Sequence, residues 1–451
     1  MKVLILDSYP KRPYRISKDT IGGFGTANRF GDGWTGRAIT WLVSQEVDWP
    51  PLYCVHAAGV LRAQGHEVEY AREWPEKAGN GGDYDLCLMT SSIVCHETEL
   101  AAAKEVVARG VPVGVIGSFG GTVSAPYLES GAFVISGEPE MYFMANPLSP
   151  ESLKGLKGLI APAPAVPLDD LPLPAWDLIY AVHPPRFGLL GRKEPVLPIA
   201  ASRGCPYSCM HYCAYPLQQG RKVRTRSPQL IVDEMAHWQD TLGVTYFIFR
   251  DPVFGINEKH TYDLCDAIEA SGRTFRFTIE THLRNLEPDL AKRLSAAGMD
   301  MVKVGIETVD TEVLNAAKRM AMKSDDQTRR IAELEKLGVK LTCHYILGMP
   351  GEKTETWKTT IRYAQHLNSV FAQISVFTPY PGTPAYSEFE DKILVDNYES
   401  FTQYDLVFKH GELTPGQVRK MLSDAYRDYY LRPSWIFKYL RTRLARNARI
   451  A

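Results

Sequence analysis

Apolar positions along this chain follow two rhythms that alternate. Short continuous runs such as Val3–Asp7 (VLILD) read as strands buried on both faces. Between them lie stretches with helical spacing, several closed by a glycine just past the last apolar position. In the first third the predicted strands are 3–7, 66–70, 84–90, 112–116 and 133–136. Helices are predicted at 52–64, ending at Gly65, and at 97–109, ending at Gly110. Five short strands separated by helices predict a doubly wound parallel sheet over residues 1–145. Such sheets bind ligands beyond the C-terminal ends of their strands. That edge carries Asp7-Ser8, Thr90-Ser91-Ser92, Gly117-Ser118-Phe119-Gly120-Gly121 and Gly137-Glu138-Pro139-Glu140.

Residues 11–50 break the rhythm and read as an inserted loop. A connection this long is either functional or disordered. Phe24, Phe30, Trp34, Trp41 and Trp49 are costly to leave in water, which argues for order. The segment leaves the first strand at its C-terminal end, so it is expected to pack across the ligand-binding edge. Residues 146–196 are dense in proline and read as an extended linker. The strand–helix rhythm then restarts. Strands are predicted at 197–202, 245–249, 275–280, 301–306, 340–347 and 373–377, with helices near 228–242, 257–271, 287–297, 310–321, 325–337 and 353–368. Six units fall short of a complete eight-unit barrel, so residues 197–390 are read as a partial (β/α)6 barrel. Residues 391–451 read as a helical tail.

Composition narrows the function. The chain has 451 residues, with 51 Lys+Arg against 52 Asp+Glu and a net charge of −1, so it lacks the basic field of a nucleic-acid binder. No apolar run reaches the ~18 residues of a membrane span, and the N-terminus has no signal-peptide pattern. A cytoplasmic protein is expected. Eight cysteines are too sparse for a disulfide framework, but Cys205, Cys209 and Cys213 crowd one loop directly after the first barrel strand. Thiolates select soft metals, above all zinc and iron–sulfur clusters. Zinc usually recruits a second Cys or His pair, and none is near. Three ligands in one loop suit a cubane cluster with one iron left open.

Here the sequence resembles the radical S-adenosylmethionine (SAM) superfamily, and within it the class B methylase-like branch with an N-terminal cobalamin-binding-type domain. WPPLYCVHAAGVLRAQGHEVEY (49–70) is similar to that branch's first helix and second strand. DDLPLPAWDLI (169–179) is similar to its linker. ASRGCPYSC (201–209), FRDPVFG (249–255), VGIET (304–308), YILGMPGE (345–352), PYPGTP (379–384) and YLRPSW (430–435) follow in the branch's order. The resemblance implies a Rossmann-like first domain, a [4Fe–4S] cluster on Cys205, Cys209 and Cys213, SAM, cobalamin and a small-molecule substrate. It also implies a one-electron donor such as flavodoxin or ferredoxin. It places Arg250 and Asp251 near the methionine end of SAM, Glu307 on the ribose hydroxyls, Lys318 on the methionine carboxylate, and Tyr212, Ile346 and Gly348 at the adenine. Corrin and tail contacts fall on Ser91, Ser92, Gly117, Gly120, Gly121 and Glu138. Two departures stand out. The family loop is Cys-x3-Cys-x2-Cys, whereas this chain reads Cys-x3-Cys-x3-Cys, and no Asp-x-His-x-x-Gly motif follows Asp7, so no protein imidazole is expected below cobalt.

The reaction implied is methyl transfer to an unactivated carbon of a small metabolite. The competing readings are a radical cyclisation, rearrangement or epimerisation without methyl transfer, RNA modification, which the charge balance opposes, and a non-catalytic scaffold whose altered cysteine spacing has abolished the cluster. Cys54, Cys87, Cys95, Cys265 and Cys343 read as core residues. The tail SWIFKYLRTRLARNARI is basic and amphipathic. It is read as a helix docked on the barrel with a solvated basic face, or as a peripheral contact with a membrane surface or polyanion.

Overall fold

The first strand, β1 (Lys2–Leu6), is buried from Val3 onward because helices cover both faces of its sheet. In this computed structural model, residues 1–18, 22–75, 83–189, 194–207 and 212–450 are described, the last six by backbone alone. β1 lies between β2 (Glu67–Ala71) and β3 (Leu86–Thr90); β4 (Val113–Ile116), β5 (Phe133–Ile135) and β6 (Leu159–Ile160) follow outward. The order β2-β1-β3-β4-β5-β6 is parallel throughout. The strand order reverses between β1 and β3, the crevice where a doubly wound sheet takes its ligand. Five of these strands were predicted. The sixth comes from the proline-rich stretch, where Gly158 turns at φ 66 and Leu159–Ile160 pair with Val134–Ile135.

The second sheet runs β7 (Val196–Ile199), β8 (Tyr246–Phe249), β9 (Arg276–Thr281), β10 (Met299–Glu307), β11 (Lys340–Leu347), β12 (Phe371–Val376), again parallel. Among the described residues β12 does not pair with β7, so the barrel is partial and open on one side. Its helices fall close to their predicted spans, with one exception. The helix predicted at 310–321 ends at Ala316, where Lys318 turns left-handed at φ 52 and Arg319 N–H closes back on the Leu314 carbonyl at 2.9 Å.

Residues 11–50 are not the loop the sequence suggested. They contain helix α1 (Trp34–Glu46) and two short antiparallel pairs, Ile16–Ser17 with Thr26–Ala27 and Val47–Asp48 with Arg186–Phe187. Phe24, Phe30 and Trp49 are buried as the cost argument required, but Trp34 and Trp41 are 69% and 63% exposed.

Two C-terminal helices close the open side. α2 (Pro415–Tyr430) lies along β12 and caps its unpaired edge. The Tyr426 hydroxyl accepts from Ile374 N–H and donates to its carbonyl, both at 2.9 Å, and Tyr430 does the same at Ala372. A naked strand edge is an aggregation template, and these hydroxyls satisfy it. α3 (Pro433–Ile450) docks through Trp435, whose Nε1 donates to Val370 O, and through Tyr439, stacked on Trp435. The expected solvated basic face is instead mainly apolar. Ile436, Phe437 (69% exposed), Leu440 and Leu444 (66%) face solvent, flanked by Arg441 and Arg443.

Candidate active site

The cysteine loop starts where a parallel strand ends at the mouth of the barrel. Ser202–Arg203 pairs antiparallel with Arg224–Thr225 and brackets it. Gly204 must be glycine: its φ is +86, and a Cβ would sit 2.2 Å from the Lys222 carbonyl. Cys205 is buried, Cys213 is half-buried and lines a cavity, and Cys209 lies outside the described residues. Tyr212 stands against Phe377 at 5.7 Å on the same cavity wall.

Asp251 and Arg250, adjacent in sequence, do different work. The Asp251 carboxylate turns back to the cysteine loop, accepting from Ala201 N–H at 2.9 Å and the Ser202 hydroxyl at 2.6 Å. Burial raises it to about 6 despite those bonds. Arg250 points into the cavity and pairs with Glu280 at 2.9 Å. Burial pushes Glu280 up, but Arg250 and Lys303 outweigh it and hold the group below its ordinary value. His344, also on the wall, is brought down to about 4, mainly by burial, and is neutral at physiological pH. Sequence reasoning did not select Glu280 or Lys303, and it left open whether Cys343 or His344 points inward. Their signal was available: each lies on a predicted barrel strand, but strand alternation alone leaves open which residues face inward.

At the end of β10, Glu307 takes the left-handed conformation (φ 63) and pairs with Arg319 at 2.8 Å. A Cβ on Gly305 would lie 2.6 Å from both partners, so glycine there makes room for the pair. Lys318, expected at the methionine carboxylate of SAM, is the left-handed residue just before Arg319. Ile346 lines the cavity from β11. Gly348 (φ 75) donates its N–H to Glu352 at 2.7 Å. Burial raises buried Glu352 to about 8.

The first sheet's edge is arranged differently. Lys18 is fully buried at the crevice between β1 and β3, 3.0 Å from Asp7, 2.8 Å from Glu99, and donating to Thr90 Oγ1 at 2.7 Å. It anchors a strap, described over residues 15–18 and 22–28, laid across the edge. Ser92 Oγ donates to Phe24 O at 2.9 Å and Ser118 Oγ to Gly23 O at 2.6 Å. Ser91 Oγ donates to Ile116 O and accepts from Gly120 N–H. A Cβ at Gly117 or Gly120 would come within 2.9 Å of Ser91 Oγ, and one at Gly121 within 3.2 Å of Ser136 Oγ. Glu138 bonds Arg203 and Arg224 at 2.5 and 2.6 Å, and with Glu140 ties this domain to the cysteine loop. The six positions assigned to a corrin are thus engaged with the chain's own groups. The strap's far side, Gly23 to Thr26, is the floor of the cavity.

That cavity measures about 640 Å³. Its wall carries Arg250, Glu280, Lys303 and His344 together with apolar side chains, among them Trp34 and Leu42 of α1 and Trp435 and Tyr439 of α3.

A family model described as the radical SAM superfamily matches residues 199–364. An uncharacterized methyltransferase of Pyrococcus horikoshii is 28% identical over 325 residues, 68% of each chain. Bacteriochlorophyllide d C-8(2)-methyltransferase of Chlorobaculum tepidum is 23% identical over 411 residues, 86% of this chain and 87% of that one. Among solved structures, the radical SAM methyltransferase TsrM of Kitasatospora setae superposes with TM-score 0.61 at 16% identity, over 86% of this chain and 75% of its own. The cobalamin-dependent SAM radical enzyme OxsB gives TM-score 0.61 at 13% identity, over 86% of this chain and 54% of its own. These two share the two-sheet fold.

Proposed function

We propose that this chain, a radical SAM superfamily enzyme, is a cobalamin-dependent methyltransferase acting on an unactivated carbon of a small molecule. The observation that carries the reading is the cavity, which joins Cys213 and Tyr212 at the barrel mouth to an apolar chamber lined by both halves of the molecule. Methyltransferases among the relatives support it.

Three thiols on one loop are a donor set for a [4Fe–4S] cluster, with Cys205, Cys209 and Cys213 as its ligands. For cobalamin the floor is the fitting surface. Gly25 keeps that floor low, since a Cβ there would sit 2.3 Å from Ser92 Oγ beneath it, which leaves room above for a flat macrocycle, and the edge residues hold the floor from below. Ser92 and Ser118 bond the strap; Ser91, Gly117, Gly120 and Gly121 shape the loop that carries Ser118. When bound, the cluster and SAM supply a hydrogen-abstracting radical, and cobalamin supplies a methyl carrier.

The chain's own residues position and enclose. Asp251 fixes the start of the cysteine loop through two hydrogen bonds. Arg250, held by Glu280, presents a cation toward the space for the methionine end of SAM. Glu307, which pairs with Arg319, takes the ribose hydroxyls in this reading, an acceptor-only role. Lys318, Ile346, Gly348 and Tyr212 complete the SAM contacts in this reading. Apolar walls exclude water, which protects a reactive radical. The electron enters from a one-electron donor of the flavodoxin or ferredoxin kind.

The test is anaerobic incubation of the reconstituted chain with SAM, reductant and cobalamin. 5′-Deoxyadenosine together with S-adenosylhomocysteine and a one-methyl mass gain is expected. 5′-Deoxyadenosine alone assigns a radical reaction without methyl transfer. Among the residues named on the floor there is no histidine, so electron paramagnetic resonance of the cob(II)alamin-loaded chain is expected to lack nitrogen splitting from a lower protein ligand. A nitrogen-split spectrum would overturn that assignment.

A further inference from the structure

Helices of a soluble face normally turn apolar residues inward. Two helices here do the opposite, and both border the cavity. The exposed positions of α1 are Trp34, Arg37, Ala38, Trp41, Leu42 and Gln45, one helical face that is mostly apolar and carries no acidic group. On α3 the exposed stripe is Ile436, Phe437, Leu440 and Leu444, the i, i+4, i+8 spacing of one face. Its docked side is accounted for by Trp435, Lys438 and Tyr439, which bond or stack on the barrel and α2. The apolar stripe is therefore not the face that holds the helix in place. From Tyr429 to the end the sequence has six cations (Arg432, Lys438, Arg441, Arg443, Arg446, Arg449) and no carboxylate side chain.

An apolar stripe flanked by arginines is the composition of a helix that lies in a membrane interface, where cations meet anionic headgroups. A second copy of this chain brings almost no excess negative charge, −1 over the whole molecule, whereas an anionic bilayer presents a continuous field of it. Among the described residues no helix is long and apolar enough to cross a membrane. The cavity opens at this place: Trp34, Ala38 and Leu42 of α1 line it, with Leu431 and Trp435 opposite. This is the side where β12 and β7 do not pair and helices, not strands, cover the gap.

We infer that α1 and α3 seat the enzyme on an anionic bilayer, and that the substrate is an apolar molecule entering from the membrane between Leu42 and Leu431. The substrate half of this inference rests on the small-molecule reading above; the docking half does not. Docking is measured on the chain without SAM or reductant, by co-sedimentation with phosphatidylglycerol/phosphatidylcholine vesicles and with phosphatidylcholine alone. Binding to the anionic vesicles is expected, weakened by salt and weakened about tenfold or more by F437E/L440E. R441E/R443E supplies the same readout should the first variant fail to fold by circular dichroism. Entry is measured separately, by the fluorescence of cis-parinaric acid as a long-chain probe without vesicles; A38W is expected to abolish its uptake. No binding to anionic vesicles, binding unchanged in both charge-altering variants, or a dimer in light scattering that dissociates in F437E/L440E without any vesicle binding overturns the docking. Uptake unchanged in A38W overturns the entry route. Failure of the methyl-transfer reading would show only in the SAM assay, which uses neither vesicles nor probe.

Discussion

Two parallel six-stranded sheets present their C-terminal edges toward the same space, and they treat it in opposite ways. The barrel edge is left open: its strand ends carry Arg250, Glu307 and Gly348, and its inner wall faces a chamber. The Rossmann-like edge is filled by the chain itself, with Lys18 in the crevice and the strap bonded across Ser92 and Ser118. The rule that such sheets bind ligands at this edge gives the location. The intervening chain decides whether the ligand meets strand ends or a second layer laid over them.

The sharpest test of the open edge is Cys205→Ala. A cluster with one protein ligand removed is expected to lose SAM cleavage by more than about a hundredfold, read as 5′-deoxyadenosine after anaerobic reconstitution. Full activity would remove the thiol loop from the reaction. For the filled edge the counterpart is Lys18→Met. Asp7 and Glu99 would then face each other in a dry site, and breaking a buried ion network in this way costs about 3–5 kcal/mol. Urea unfolding measures it; a loss below ~1 kcal/mol would mean that Lys18 does not anchor the strap.

Glu352→Gln probes the open edge by pH. Burial raises Glu352 to about 8, so the folded chain keeps its proton while the unfolded chain releases it above the usual carboxylate range. The unfolded state binds fewer protons between those values, so stability falls as pH rises there, by at most about 1.4 kcal/mol per pH unit. The Gln variant is expected to flatten the fall in unfolding midpoint between pH 6 and 8. An unchanged slope assigns the proton elsewhere. The smallest effect belongs to Ser92→Ala, which removes one bond to the strap, about 1 kcal/mol. Faster proteolysis within residues 22–41 is its expected signature, and cobalamin should slow that cleavage if it lies on the floor.

The same contrast explains what could be read from the sequence. The barrel strands and the cysteine loop were legible because apolar runs, helical spacing and three clustered thiols are local signals. The strap was not. Lys18 is one cation in a polar run, and its partners Thr90 and Glu99 are brought to it by the fold across 72 residues and more. Helix α1 escaped because its apolar face is turned outward and its N-cap, Gly33, makes no side-chain capping bond, so the usual start signal is missing. Two residues of β6 cannot display a period. Lys318 and Arg319 are neighbours of like charge, and only the left-handed turn at Lys318 decides which one reaches Glu307.

The strap also sets an order in time. Asn28 bonds Tyr404, 376 residues later, and Asp32 N–H bonds Ser423, 391 residues later. At the ~5–20 residues per second of protein synthesis, roughly 20 to 75 seconds separate the strap's emergence from that of the groups that pin it. Contacts of such sequence separation form late and slowly. While the chain is being made, the first sheet and the barrel can each assemble with the chamber between them still unroofed, and the helices that close it are made after both.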